Sequence, residues 1–325
     1  MTALTRRTVL TGAALATASA IAPLASARAA APAVGKQNAG FYRYKVGSFE
    51  VTAVTDGMRD APLGQFVPKV PTEQVNAALQ AAYLPKDKFP FIFTPIVVNT
   101  GSKLVMIDTG LGPATFDQSK GTAGQAHSNL AAAGIDRKAV DVVIISHFHG
   151  DHINGLLNAD NTPAFPNAEV MVPEPEWAFW ADDSKLTTDG WKANGANVKR
   201  VFGPLGAKVT KYGDKKELVP GITSMFTHGH TPGHSSHVIS SGSDTLLVQA
   251  DVSNHPALFV RNPGWHAAFD MDAALAETNR RKLYDQLAAD KMRMQGFHFP
   301  FPAVGYIEKD GQGYRYTPAP WNPVV

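Results

Sequence analysis

The chain has 325 residues, of which 44% are hydrophobic and 18% charged, enough apolar material for one large core or two tightly packed halves. The formal charge of +2 gives no electrostatic footprint for nucleic acid or an anionic membrane, and no apolar run is long enough to remain as a membrane span. Cysteine is absent, so disulfides and thiolate chemistry are excluded and any metal must be held by histidine and carboxylate.

Residues 1–29 read as a targeting peptide. Arg6 and Arg7 precede a small-residue apolar stretch that runs to Leu24, and Ala27-Arg28-Ala29 forms an A-x-A cleavage site. The paired arginines point to twin-arginine export, into the periplasm or the medium. Loss of Arg6, Arg7 and Arg28 leaves 27 basic against 28 acidic residues in 30–325, which is expected to be a single domain. Near-neutrality implies a small substrate that is uncharged or weakly charged.

After a polar lead, a first strand is predicted over Phe49–Val54, ending at the turn Asp56-Gly57, where Asp56 reads as an ordinary turn residue. Phe91–Asn99 and Leu104–Asp108 are β-rich and read as a hairpin about Thr100-Gly101. His127–Ala133 is helix-like. Val142–Ile145 is wholly apolar, the pattern of a strand buried on both faces. A strand at Glu169–Val172, an aromatic-rich helix at Glu174–Ala181 and a partly helical insertion over Asp182–Gly206 follow, the last well placed to cover a site. Strands at Ile222–Thr227, His237–Ser240 and Thr245–Gln249, a helix over Met271–Ala289 and two short strands ending near Tyr316 complete the chain. Strands and helices alternate in both halves, which implies sheets packed on one another with helices outside.

The densest chemical signal is HFHGDH, in which His147, His149, Asp151 and His152 fall within six residues at the end of the buried strand. Beyond a strand end, His147 and His149 can point to one side while Asp151 and His152 come from the following turn, offering separate ligand sets to two neighbouring metals. Imidazole and carboxylate suit zinc, and also iron or manganese.

With GHTPGHSSH, LLVQAD and GFHFPFP further along, the chain resembles the hydrolases of the metallo-β-lactamase superfamily. The resemblance implies an αββα sandwich with a cleft for two divalent metal ions, zinc foremost, between its sheets. It assigns His147, His149 and His234 to one metal, Asp151, His152 and His298 to the other, and Asp251 to both. His234 is selected over His228, His230 and His237 because it directly follows Thr-Pro-Gly; the other three read as hydrogen-bonded or core histidines. Asp108 in LVMIDTG reads either as a strand-end turn or as a carboxylate orienting a ligand histidine, and the resemblance favours the second.

Within the superfamily the chain is most similar to the methyl parathion hydrolase group, on framework stretches such as FYRYKVGSFEVTAVTDG, VVNTGSKLVMIDTG, HGHTPGH and FPFPAVGYI. That similarity implies phosphotriester or ester hydrolysis by a metal-bridging hydroxide, with Asp151 orienting it or taking its proton. It also implies a homodimer and an aromatic leaving-group pocket made by Phe116, Trp180 and Trp191. The alternative is a lactonase of the same fold, although acyl homoserine lactonases typically carry a tyrosine where this chain has Asn254. An iron persulfide dioxygenase and a non-catalytic metal-binding protein are the competing classes.

Overall fold

The computed structural model describes residues 34–35 and 37–325; the expected leader, 1–29, lies outside them. FYRYKV and FEVTAV, rich in aromatic and β-branched residues, pair antiparallel as β1 (Phe41–Val46) and β2 (Phe49–Val54). A strand therefore precedes the one expected first. The segment expected to be continuous over Phe91–Asn99 is broken at Thr94-Pro95, since proline cannot donate to a ladder. Its first part, β4 (Lys88–Phe93), pairs with β3 (Gly57–Pro62) in a separate two-stranded ribbon, and α1 (Thr72–Ala81) lies between these strands in sequence. Its second part, β5 (Ile96–Asn99), joins β2.

From β5 the first sheet continues through β6 (Leu104–Ile107), β7 (Val142–Ile144), β8 (Glu169–Pro173) and β9 (Val209–Tyr212), the last four mutually parallel. The connections carry α2 (Ala114–Gln118), α3 (Ala126–Ala132), α4 (Gly150–Ile153), α5 (Glu174–Trp180) and α6 (Asp189–Phe202). The second sheet takes its strands in chain order: β10 (Glu217–Val219), β11 (Ile222–Phe226), β12 (Ser235–Ser241), β13 (Asp244–Ala250), β14 (Arg293–Gly296), β15 (Val304–Asp310) and β16 (Gly313–Pro318). Its one long helix, α7 (Ala273–Asp290), connects the parallel pair β13 and β14. No helix among the described residues is long and apolar enough to cross a membrane.

Side-chain alternation then fixes the layers. Val51, Val98, Val105 and Ile144 of the first sheet meet Ile222, Ile239, Leu246 and Val304 of the second. The opposite face of the first sheet, with Val97, Met106, Val143 and Val170, is covered by Leu130, Trp180, Val198 and Phe202 from the helices. Leu283, Tyr284 and Leu287 of α7 cover Leu247, Met294 and Ile307 on the far side of the second sheet. The result is the expected αββα sandwich.

Asp56 is more than a turn residue. It is buried, and its carboxylate accepts from the backbone N–H of Leu111 (2.8 Å) and of Ala126 (2.7 Å), tying the end of β2 to the loop after β6 and to α3. The strand ends nearby are unusual too: Asp108 after β6 and Ala250 at the end of β13 have φ of 56° and 49°, left-handed conformations that non-glycine residues adopt at a cost and that concentrate at functional sites. Because β7 is buried on both faces and carries the HFHGDH turn, replacing Ile144 with Ala should cost about 2–5 kcal/mol in denaturant unfolding, and a loss below about 1 kcal/mol would contradict its core placement.

Candidate metal centre

Five strand ends converge at one end of the sandwich. β7 runs into Ser146 and His147; His149 is the residue before α4, and Asp151 and His152 stand on that single turn of helix. The loop between β11 and β12 contributes His230, the end of β13 delivers Asp251, and His298 follows β14.

The side chains form two trios that share a wall. His147 Nε2 and His230 Nε2 each lie 3.0 Å from His149 Nδ1. Across from them, His298 Nε2 lies 3.4 Å and His152 Nε2 3.7 Å from Asp151 Oδ2. Asp251 reaches both groups: one oxygen is 3.2 Å from His152 Nε2, and the other is 3.0 Å from His298 Nε2 and 3.3 Å from His230 Nε2. Within each trio the nitrogen and oxygen atoms lie within 4.8 Å of one another.

These residues fit a pair of cations. His152 Nε2 and Asp251 Oδ1 are buried without a hydrogen-bond partner, a costly state for polar atoms unless something else coordinates them. Burial, reinforced by neighbouring imidazoles, holds His147 and His149 well below the ordinary histidine range, so both are neutral and carry free lone pairs. Burial alone would raise the Asp251 carboxyl, but His298 and His152 hold it well below its usual value and keep it charged. Burial alone would lower His152 and His230 too, but the carboxylates of Asp251, Asp108 and Asp270 around them raise both; imidazoles and carboxylates together are the donor chemistry of divalent first-row metals.

His234, expected as the third histidine of the first trio, does not join it, and this is a correction. Its Nε2 accepts from the backbone N–H of Asp251 at 3.0 Å and its Nδ1 faces Thr227, 2.9 Å from Oγ1 and 3.1 Å from the carbonyl. With both nitrogens engaged it has no lone pair to offer a metal; it positions Asp251 instead. His230 takes the place. Four histidines between 228 and 237 left the choice open to sequence, and only the path of the loop settles which imidazole faces the others.

Buried groups stand behind the trios. Asp108 accepts from Ser146 N (2.8 Å) and Ser146 Oγ (2.7 Å), and its Oδ2 is 2.8 Å from His152 Nδ1. Asp270 does the same for His230, 2.9 Å from its Nδ1, and is itself flanked by the buried Arg280 guanidinium at 3.4 Å. Arg280 also donates to the carbonyls of Val252, Pro263 and Trp265. Asp270 and Arg280 carry no local motif, so nothing in sequence singles them out. Phe91 stacks on His298 and Phe297 on His152, each with ring centroids 3.9 Å apart.

A cavity of about 640 Å³ opens over the trios, with Asp151, His149, His230 and Asp251 in its floor. One wall carries Phe66, Phe91, Phe93 and Phe269; the other carries the amides of Asn154, Asn194 and Asn197. None of the three aromatics expected to form the pocket lines it. Trp180 is 1% exposed and donates from Nε1 to Glu176 Oε1 at 2.7 Å, a core role. Trp191 packs edge-on against Phe179, and Phe116 lies over Gly121 on α2, 43% exposed. The flanking polar composition that marked these rings belongs to the outer surface of the helices. Two of the four phenylalanines that do line the cavity, Phe91 and Phe93, come from the β3–β4 ribbon, where Phe89, Phe91 and Phe93 alternate at strand spacing.

Residues 94–292, well over half of the chain, match the sequence model of the metallo-β-lactamase superfamily. The chain belongs to that superfamily. It is a metal-dependent hydrolase with the superfamily's αββα fold. A Bacillus N-acyl homoserine lactonase is 27% identical over 195 residues, covering 58% of this chain and 70% of that protein. The lactonase AttM of Agrobacterium fabrum is 28% identical over 150 residues, 42% of this chain and about half (49%) of its own length. Among solved structures, AidC, described as a dizinc quorum-quenching lactonase, superposes with a TM-score of 0.81 at 25% identity, covering 87% of this chain and 98% of that one. AbOPH, described as a hydrolase in the β-lactamase superfamily, gives 0.82 at 26% identity, covering 88% and 100%.

Elemental analysis distinguishes the two histidines. His230→Ala should lower the bound metal from two ions per chain to about one, while His234→Asn, which keeps an acceptor for the Asp251 amide, should retain both. Loss of metal in the second variant and not in the first would reverse the assignment. Asp251→Ala should lose both ions.

Proposed function

We propose that the chain is a dinuclear lactonase acting on neutral lactones with an apolar N-acyl chain. The observation that carries this reading is the pairing of an aromatic wall with an amide-bearing wall directly above the two trios. A substrate with an aliphatic tail, a neutral amide and an ester head matches that division. The named relatives support the same choice over phosphotriesters, and a cavity floor without lysine or arginine suits an uncharged substrate of either class. Arg59, the one basic residue along the cavity, is accompanied there by Asp60.

His147, His149 and His230 would hold one divalent ion, and Asp151, His152 and His298 the other, with Asp251 between them; zinc is the metal proposed. When bound, such a pair supplies Lewis acidity toward the ester carbonyl and makes water acidic enough to deprotonate near neutral pH. The protein does the rest by placement. Asp151 is the most exposed carboxylate of the site, its side chain 16% accessible, and is placed to accept a proton from attacking water at Oδ and return it to the alkoxide oxygen as the ring ester bond breaks. The products are an open-chain hydroxy acid, with no redox change. Asn254 stands where acyl homoserine lactonases typically carry tyrosine, and its Nδ2 already donates to Asp251 Oδ2 at 2.9 Å. It therefore fixes the orientation of Asp251 while lining the cavity itself.

Phe66, Phe91, Phe93 and Phe269 would bury the acyl chain and keep water from it, each ring worth up to about 1.5–3 kcal/mol when fully covered. The same rings would accept an aryl leaving group, which makes aryl phosphotriesters the second reading. A panel of zinc-loaded enzyme against hexanoyl and decanoyl homoserine lactones, an aryl ester and an aryl phosphotriester ranks them. The highest kcat/KM is expected on the acyl lactones; a phosphotriester ranked above every lactone would overturn the reading. Phe269→Ala should raise KM for the decanoyl lactone about tenfold, the equivalent of about 1.4 kcal/mol, with kcat changed less than twofold. Equal effects on short and long acyl chains would place the tail elsewhere.

A further inference from the structure

Glu176 is fully buried at the start of α5, outside the cavity and away from both trios. A carboxylate in such a place costs several kcal/mol unless its lone pairs are filled, and all the groups around this one are donors. Oε1 accepts from the backbone N–H of Phe148 (2.9 Å) and from Trp180 Nε1 (2.7 Å). Oε2 accepts from Thr231 Oγ1 (2.8 Å) and from the backbone N–H of Gly233 (2.8 Å). Phe148 lies between His147 and His149. Thr231 and Gly233 lie in the loop that presents His230 and His234. One carboxylate therefore clasps the two chain segments that supply every nitrogen of the first trio.

The fit is close on the loop side. A Cβ on Gly233 would come within 2.0 Å of the Glu176 backbone nitrogen, so only glycine lets the loop sit against the helix start. The Phe148 carbonyl is held in turn by Asn194 Nδ2 at 3.1 Å, which ties α6 to the same turn. We propose that Glu176 is a positioning residue that sets the separation of the His147–His149 turn from the His230 loop, and with it the affinity of the trio for its metal. It touches neither metal nor substrate; it acts through the backbone that carries the histidines.

The inference rests on the metal reading of His147, His149 and His230 and is independent of the substrate. Glu176→Gln keeps shape but turns an NH2 group toward either Gly233 N–H and Thr231 or Phe148 N–H and Trp180, so at least one backbone donor loses its acceptor. Competition of the full-length protein against a chromogenic chelator for zinc should show the weaker-held ion bound ten- to hundredfold less tightly than in wild type, the range for residues that orient metal ligands. The visible spectrum of the cobalt-substituted protein should shift as well. Loss of less than tenfold, with an unchanged cobalt spectrum, overturns the proposal even if thermal stability falls, because a merely structural group would change stability alone. If Glu176→Gln does not fold, Thr231→Val, which removes one of the four donors at constant shape, decides instead: weakening of at least threefold supports the role, and less overturns it. Wild-type protein that binds no zinc in the same titration would instead sink the metal reading itself.

Discussion

The structure turns on the burial of Asp251. Its carboxylate is 3% exposed and lies within 3.3 Å of ring nitrogens from three histidines, His152, His230 and His298. Removing a charge from water is so expensive that it persists only with compensating partners, and the arrangement of β11, β13, β14 and α4 can be understood as supplying them. The carboxylate sits on a residue that follows Ala250 in its left-handed conformation, and His234 Nε2 and Asn254 Nδ2 pin its amide and its Oδ2 respectively. A divalent pair held on either side of Asp251 would meet the same electrostatic demand.

Rigidity of the surrounding layer follows from the same demand. His152 is braced by Asp108, His230 by Asp270 and Arg280, and His298 by the carbonyl of Ile92, 2.7 Å from its Nδ1. Each brace fixes which nitrogen is left to face the centre, so the imidazoles cannot exchange tautomers freely. The Thr109 hydroxyl, donating to the His152 carbonyl at 2.7 Å, and the close approach of Gly155 to Thr109 fasten α4 to the end of β6. The braces thus come from the end of β6, from the β3–β4 ribbon and from the connection that carries α7, and hold the centre from several sides.

How much of this was legible in sequence divides along lines of locality. HFHGDH, one serine beyond VVII, reported both a buried strand and ligand spacing within eleven residues, and the structure keeps that grouping. The αββα layering followed from alternating strands and helices. The failures all needed non-local information. Thr-Pro-Gly marked His234 as the loop's notable histidine, but its ring turns toward Thr227 and the Asp251 amide; His230 faces Asp270, forty positions away. Trp180 and Trp191 were conspicuous as large rings beside polar residues, yet a helix has two faces and these rings pack on the inner one. Glu176 carries no local signal at all: it stands in the first turn of a helix, a position that favours negative charge anyway.

The β3–β4 ribbon shows why substrate choice was the hardest feature to read. As sequence, Phe91–Asn99 reads as one β-rich segment, and only the break at Thr94-Pro95 separates the ribbon from the sheet. Once separated, β4 no longer belongs to the sandwich core: Phe91 and Phe93 line the cavity, while Phe89 packs with Leu63, Val75 and Leu79 beneath the ribbon. Phe91 also lies flat on His298, so the element that shapes the acyl wall touches the metal centre directly. Changes in the ribbon therefore affect substrate fit and the placement of His298 together. The amide wall is tied in as well: Asn194 Nδ2 donates to the carbonyl of Phe148, between His147 and His149, so each wall is constrained by the trio beneath it.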